Sequence, residues 1–150
     1  MIKDFNVSEL HHLLDYCRKE LKQYSTLEHD WDSYGGCKIS YAAIEGINSL
    51  LYGIKFISIA NKSLPDKLMP GPCSDGSVDL EVEKDNRLIL INCDSKGRLS
   101  YYRDEKVEST GNKAMDTYLD TYVNKKEVNC VEEFEVLEEV DWVLQGEYHR

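Results

Sequence analysis

The sequence predicts an α+β fold: two or three helices packed on one face of an antiparallel meander sheet of three or more strands. Three observations carry this reading. Two segments near the N-terminus repeat their apolar residues at helical spacing. The period then changes from 3.6 to 2 over residues 78–102, which are broken by tight turns. With 150 residues, 41% of them hydrophobic, the chain can bury a core as one domain spanning 1–150. A chain of that size buries roughly 70% of its unfolded surface and needs no metal or disulfide staple.

The first helix is predicted over residues 8–24, with Ser8 as N-cap and Glu9 in the first turn, where the helix dipole favours an acid. Leu10, Leu13, Leu14, Cys17, Leu21 and Tyr24 form its apolar face. A second helix begins near Ser40 and keeps the period through Ile44, Ile47, Leu50 or Leu51, Ile54 and Ile57. Gly46 and Gly53 each weaken it by about 1 kcal/mol relative to alanine and would let another backbone pack closely. The stretch that follows, "NKSLPDKLMPGP", contains all three prolines and reads as extended and looped.

Three strands are predicted in "SVDLEVEKDNRLILINCDSKGRLSYYRDE", with turns at Asp85-Asn86 and at 94–97. Pairing Lys84 with Arg87 sets Val82 against Ile89, Leu80 against Ile91 and Val78 against Cys93. Those six residues make an apolar face for the helices. The opposite face then carries Asp79, Glu81 and Glu83 beside Leu88, Leu90 and Asn92, and the third strand is expected to add Leu99 and Tyr101. A third helix is predicted in 112–123 from Met115, Tyr118, Leu119, Tyr122 and Val123. The segment 131–145 fits either an acidic strand, with a bulge near Leu137, or a helix. Alternation of Phe134, Val136, Val140, Trp142 and Leu144 favours the strand.

Charge bears on the choice of partner. Of the net −10, residues 127–150 contribute −7, from eight acids and Arg150. An acidic C-terminal segment repels nucleic acid and attracts basic protein surfaces; solubility alone is the competing explanation. Ten tyrosines, with Tyr101-Tyr102 on a strand, could stack bases, but the surrounding negative charge argues against that and for a protein interface. The segment expected to meet a basic partner comprises Asp79, Glu81, Glu83, Leu90 and Tyr101 on the sheet, with Glu132, Glu133, Glu135, Glu138 and Glu139 at the C-terminus.

Catalytic and metal chemistry find little support. The five cysteines are odd in number, with no close pair, and read as reduced thiols of a cytoplasmic protein. No C-x-x-C is present, and the adjacent His11 and His12 point about 100° apart on a helix, so no metal and no cofactor is expected. No apolar run reaches the 18 residues of a membrane span, and the N-terminus has no signal-peptide pattern. "PGPCSDGS", residues 70–77, lacks the spacing and lysine of a phosphate loop and reads as a turn. Cys73 within it has no local histidine to activate it. Asp79, Glu81 and Glu83 could hold a cation, although a solvated strand face is the commoner meaning.

"HDWDSYGGCKIS", residues 29–40, interleaves two aromatics with two acids. As a corner between helices, Gly35-Gly36 turns the chain, Trp31 and Tyr34 fold under it, and Asp30 and Asp32 bind backbone amides. As a pocket, Trp31, Asp32 and Tyr34 would serve a small ligand or a hydrolytic reaction, but only His29 stands near the acids.

"WDSYGG", then "IS" and "AIEGI", then "PCSDGSVDLEV", resembles a family of small bacterial proteins with a W-D-x-Y-G … D-G-x-[IV]-x-L-E pattern. The likeness covers about residues 31–102, through Trp31, Asp32, Tyr34, Gly35, Ile39, Ser40, Ala43, Ile44, Pro72, Asp75, Gly76, Val78, Leu80 and Glu81. It implies a fold and no catalytic residue. The acidic C-terminus departs from that pattern. The reading that results is a non-enzymatic protein-binding module, an acidic inhibitor or antitoxin-like partner of a basic protein in bacterial or phage conflict. The alternatives are the ligand or hydrolytic pocket and a structural subunit of a larger assembly.

Overall fold

A computed structural model describes residues 5–106 and 122–146. In chain order the elements are α1 (Val7–Tyr24), α2 (Tyr41–Asn61), β1 (Lys67–Pro72), β2 (Val78–Lys84), β3 (Arg87–Cys93), β4 (Leu99–Lys106), β5 (Tyr122–Val131) and α3 (Glu133–Gln145). The five strands form one open antiparallel meander in the order β1-β2-β3-β4-β5. The fold is α+β, as the sequence predicts.

The pairing of β2 with β3 has the expected register, Lys84 with Arg87 through Val78 with Cys93. Asp85 takes the positive φ that the two-residue turn requires, at +53°. Val78, Leu80, Val82, Ile89, Ile91 and Cys93 are all buried beneath the helices, with Leu10, Leu14 and Leu21 of α1, Ile47, Leu50, Leu51 and Ile54 of α2, and Val136, Val140, Val143 and Leu144 of α3. Each fully buried aliphatic side chain contributes about 1.5–3 kcal/mol relative to exposure, so the inner face of the sheet is the main source of stability. By length and composition α2 is apolar enough to cross a membrane. One side of it supplies the centre of this core.

Several expectations need correction. The N-cap of α1 is Asn6, whose Oδ1 accepts the amides of Ser8 and Glu9, so Ser8 lies inside the helix. Ser40 does cap α2, accepting from the Ala42 amide at 3.1 Å. The proline-rich stretch contains a strand, β1, rather than only a loop. Proline is tolerated there because β1 is an edge: it lacks a second strand, and Pro70 has no outward N–H to satisfy. From α1, Cys17 Sγ and the Tyr24 hydroxyl donate to the Leu68 and Pro70 carbonyls, which covers that edge. Gly46 and Gly53 meet side chains rather than backbone, a Cβ at these positions falling 2.3 Å from Cys93 Sγ and 2.5 Å from a Leu137 methyl.

Residues 131–145 form mostly a helix, α3, and not the favoured strand. Val136, Val140, Val143 and Leu144 fall at i, i+4, i+7 and i+8, which is one helical face. Phe134 and Trp142 lie off that face and produced the apparent alternation. Trp142 is apolar and still partly buried because Arg87 and Arg103 stack on its ring at 4.5 and 4.4 Å. Of the helix predicted over 112–123, Met115, Tyr118 and Leu119 lie outside the described residues, whereas Tyr122 and Val123 open β5.

A candidate protein-binding face on the outer side of the sheet

Among the described residues, α1, α2 and α3 all lie on the inner face. The outer face carries every second residue of each strand, and the register fixes which. Asp79 faces Asn92, Glu81 faces Leu90, and Glu83 faces Leu88. Across the next ladder Asn92 faces Ser100, Leu90 faces Tyr102, and Leu88 faces Asp104. On the other side Met69 and Lys67 stand opposite Glu81 and Glu83.

Tyr101 and Leu99 are therefore not on this face. Tyr101 faces Ile91 and Leu99 faces Cys93 on the helix side, and Tyr101 is only 4% exposed. Tyr102 occupies the outer position that the sequence reading gave to its neighbour. A signal for this was present. Ser100, Tyr102 and Asp104 are the more polar alternate set of β4, and a one-residue shift exchanges the faces.

Charge on the outer face is crowded and only partly neutralised. Lys67 Nζ lies 3.0 Å from Glu81 and 3.9 Å from Glu83, so one ammonium serves two carboxylates. Burial, followed by a hydrogen bond and repulsion from Glu81, pushes the Glu83 carboxyl above its ordinary range. The ammonium stands where a bound cation would have to sit. Asp79 accepts from Asn92 Nδ2 at 2.8 Å, and Asp104 accepts the Tyr102 hydroxyl at 2.7 Å. Leu90, 38% exposed, sits among these acids with Leu88 and the Tyr102 ring. The result is an acidic face with an apolar centre, fixed on a rigid sheet.

The C-terminal acids are used differently. Glu132 precedes α3, and Glu133 and Glu135 occupy its first turn, where they complement the helix dipole. Glu139 packs against the sheet, accepting from Arg103 Nη1 at 2.5 Å with Lys126 Nζ at 3.6 Å. It is a structural ion pair and unavailable to a partner. Asp141 accepts from Asn61 and Gln145. Glu127 on β5 and Glu132, Glu135 and Glu138 are the exposed remainder among the described residues of the segment.

The corner at 29–40 is held by its own backbone. Asp32 Oδ1 accepts the Tyr34 and Gly36 amides at 2.9 and 2.8 Å, and Asp30 Oδ1 accepts the Gly35 amide at 2.6 Å. Those bonds hold the Asp32 carboxyl below its ordinary range. Trp31 packs on the core and donates Nε1–H to the Cys37 carbonyl at 2.8 Å. Tyr34, expected to fold under, is 92% exposed. Trp31, Asp32 and Tyr34 therefore do not converge on one cavity: the ring is turned to the core, the carboxylate to amides, and the phenol to solvent.

The two halves of the W-D-x-Y-G … D-G pattern meet in space. The Cys37 amide donates to the Ser74 carbonyl at 2.7 Å, and the Ser40 amide to the Gly76 carbonyl at 2.9 Å. Gly76 has φ +88°, and a Cβ there would lie 3.0 Å from the Lys38 carbonyl. Asp75 accepts from the Ser77 amide and hydroxyl. Fold geometry explains these residues without any reaction.

A groove of about 570 Å³ runs between α1 and β1, with Leu13, Leu64 and Leu68 in its lining and Lys67 and Lys84 among its polar groups. Both lysines are engaged with acids, Lys84 lying 3.8 Å from Asp66. Burial pushes the thiols of Cys17 up to about 12, and of Cys73 and Cys93 to about 11, so these three are protonated near neutrality. Among the described residues no group of three or more His, Cys, Asp or Glu is arranged to hold a metal ion. No family model, no curated protein and no solved structure matches the chain.

Proposed function

We propose that the protein is a binding module that captures a basic protein on the outer face of its sheet, in the manner of an acidic inhibitor or antitoxin. The observation that carries this reading is the pair Glu81 and Glu83 under a single lysine, beside Leu88, Tyr102 and the exposed Leu90, on the sheet face opposite the helices. A basic side chain laid against the two carboxylates would relieve their repulsion, and the apolar centre would supply the water-excluding contact that an interface anchor needs. The same charges disfavour phosphate backbones. The role in bacterial or phage conflict rests on the resemblance of residues 31–102 to small bacterial proteins, and on the fit of an acidic face to a basic toxin.

Site-specific photocrosslinking tests the assignment. A benzophenone amino acid placed at Leu90 is expected to form an adduct with a basic protein in the native cell. Adducts formed from Phe134 on α3, with none from Leu90, would move the site to the C-terminal helix and reject the sheet face.

A further inference from the structure

On the side of the molecule away from the outer sheet face, α2 exposes a second surface with a different character. A helix that is apolar all round is normally buried all round. One side of α2 is in the core, yet its outward side shows Tyr41, Tyr52, Phe56 and Ile59, with Tyr52 59% and Phe56 69% exposed. The only charges in the helix are Glu45 and Lys55. Neither makes an ion pair or hydrogen bond among the described residues.

The spacing of residues on this side is symmetric about the level of Leu50. Tyr41, Glu45, Asn48, Tyr52, Lys55 and Ile59 follow one another at intervals of four and three, the spacing of a helix-pairing seam. Reversing the helix sets Tyr41 at the level of Ile59, Glu45 at the level of Lys55, and Asn48 at the level of Tyr52. A two-fold contact is made by one patch facing itself, and a self-complementary charge pattern is what it requires. The Arg18 guanidinium of α1 stacks on the Tyr52 ring at 5.0 Å and pre-orders it. Each chain carries −10, and α2, with one charge of each sign, brings the least like charge together.

We propose that α2 pairs antiparallel with α2 of a second copy of this chain about a two-fold axis crossing the seam at the level of Leu50, Glu45 of each meeting Lys55 of the other. The pairing leaves both outer sheet faces open, on opposite sides of the dimer, so the assembly would be bivalent. It stands independently of what the sheet face binds.

Sedimentation equilibrium of the full chain across a concentration series tests this, with thermal melts to show that each variant is folded. Wild type is expected to self-associate to a dimer. Glu45→Lys and Lys55→Glu each turn two attractive pairs into two repulsive ones and are expected to weaken the dimer by about tenfold or more. The double variant E45K/K55E restores opposite charges across the two-fold and is expected to return the wild-type affinity. A partner of any other kind would not give that rescue. A monomeric mass at every concentration up to roughly 1 mM would overturn the proposal. So would a dimer indifferent to the single reversals, or one not restored by the double. Flotation of a monomeric chain with vesicles of zwitterionic and anionic phospholipid would assign the stripe to a lipid surface instead, and likewise overturn the pairing.

Discussion

The acids of β2 and the acids of α3 are alike in composition and different in arrangement. Asp79, Glu81 and Glu83 alternate along a strand, so all three project from one face and repel one another. The acids of α3 are distributed around a helix. Glu133 and Glu135 complement its dipole, while Glu139 is fixed to Arg103 and Lys126. Net charge in the sequence points to the C-terminus as the acidic surface. In the fold one of those acids, Glu139, holds α3 to the sheet, while on β2 Glu81 and Glu83 share a single lysine. A count of carboxylates therefore locates a charged segment without showing which carboxylates a partner can use.

The contrast can be broken most sharply on β4, where adjacent tyrosines face opposite sides. Tyr101→Ala empties a core position and is expected to cost about 3–5 kcal/mol. Tyr102→Ala should cost less than about 1 kcal/mol and act instead on partner capture. Chemical denaturation of the two variants separates them, and equal losses would contradict the register.

Arg103→Ala tests the helix half of the comparison. It removes the Glu139 partner and one side of the Trp142 stack, and is expected to cost about 3 kcal/mol. Glu135→Gln and Glu138→Gln, on the exposed side of the same helix, should stay within about 0.5 kcal/mol of wild type. Urea midpoints at constant slope would report both.

Trp31→Ala is expected to cost about 2–3 kcal/mol, the ring being partly buried and hydrogen-bonded to Cys37. Asp32→Asn weakens the amide bonds of the corner. Because the Asp32 carboxyl is held low in the fold, its contribution is present above the ordinary carboxylate value and is lost as pH falls through the lowered one. The melting difference between D32N and wild type should therefore shrink in acid. A difference constant down to pH 2 would remove the charge from the explanation.

The smallest effect has the opposite sign. The Glu83 carboxyl is raised in the fold, so its ionised form is disfavoured there. Glu83→Gln is expected to raise stability by a few tenths of a kcal/mol at pH 7. The gain should be complete above the raised value and absent below the ordinary 4.5. A loss of stability at pH 7 would show that Glu83 is compensated by Lys67 more fully than the geometry indicates.

Much of this arrangement is legible in the residues, and the failures have physical causes. The β2–β3 register follows from strict alternation closed by a two-residue turn, which leaves one way to bury Val78, Leu80 and Val82. Beyond the longer turn at 94–98 that constraint is lost, and the expectation that Leu99 and Tyr101 lie on the outer side fails by one residue. β5 has no apolar alternation to read. Asn124 and Cys130 take φ near +54°, and the pairing with β4 shifts register twice, so the period of two is broken where it would be sought. In α3, Trp142 is covered by two arginines as well as by the edge of the core, and apolar periodicity cannot anticipate cover from cations. The amide-binding role of Asp30 and Asp32 was readable because short acids before glycines satisfy turns locally. The candidate face was half readable: its acids and Leu90 are where alternation puts them, but its tyrosine is the neighbour of the one expected.

The central claim is that the outer sheet face, and not the acidic helix, is the binding surface. It is tested most directly by quantitative capture from native cells on four immobilised baits: wild type, Leu90→Asp, E81Q/E83Q, and E132Q/E135Q/E138Q. Leu90 is exposed enough that L90D should remain folded, which a thermal melt checks first. The expected result is a basic protein retained by wild type and by the helix variant, and lost by at least about tenfold from both sheet-face variants. Retention unchanged by L90D and E81Q/E83Q, with loss confined to the helix variant, would contradict it.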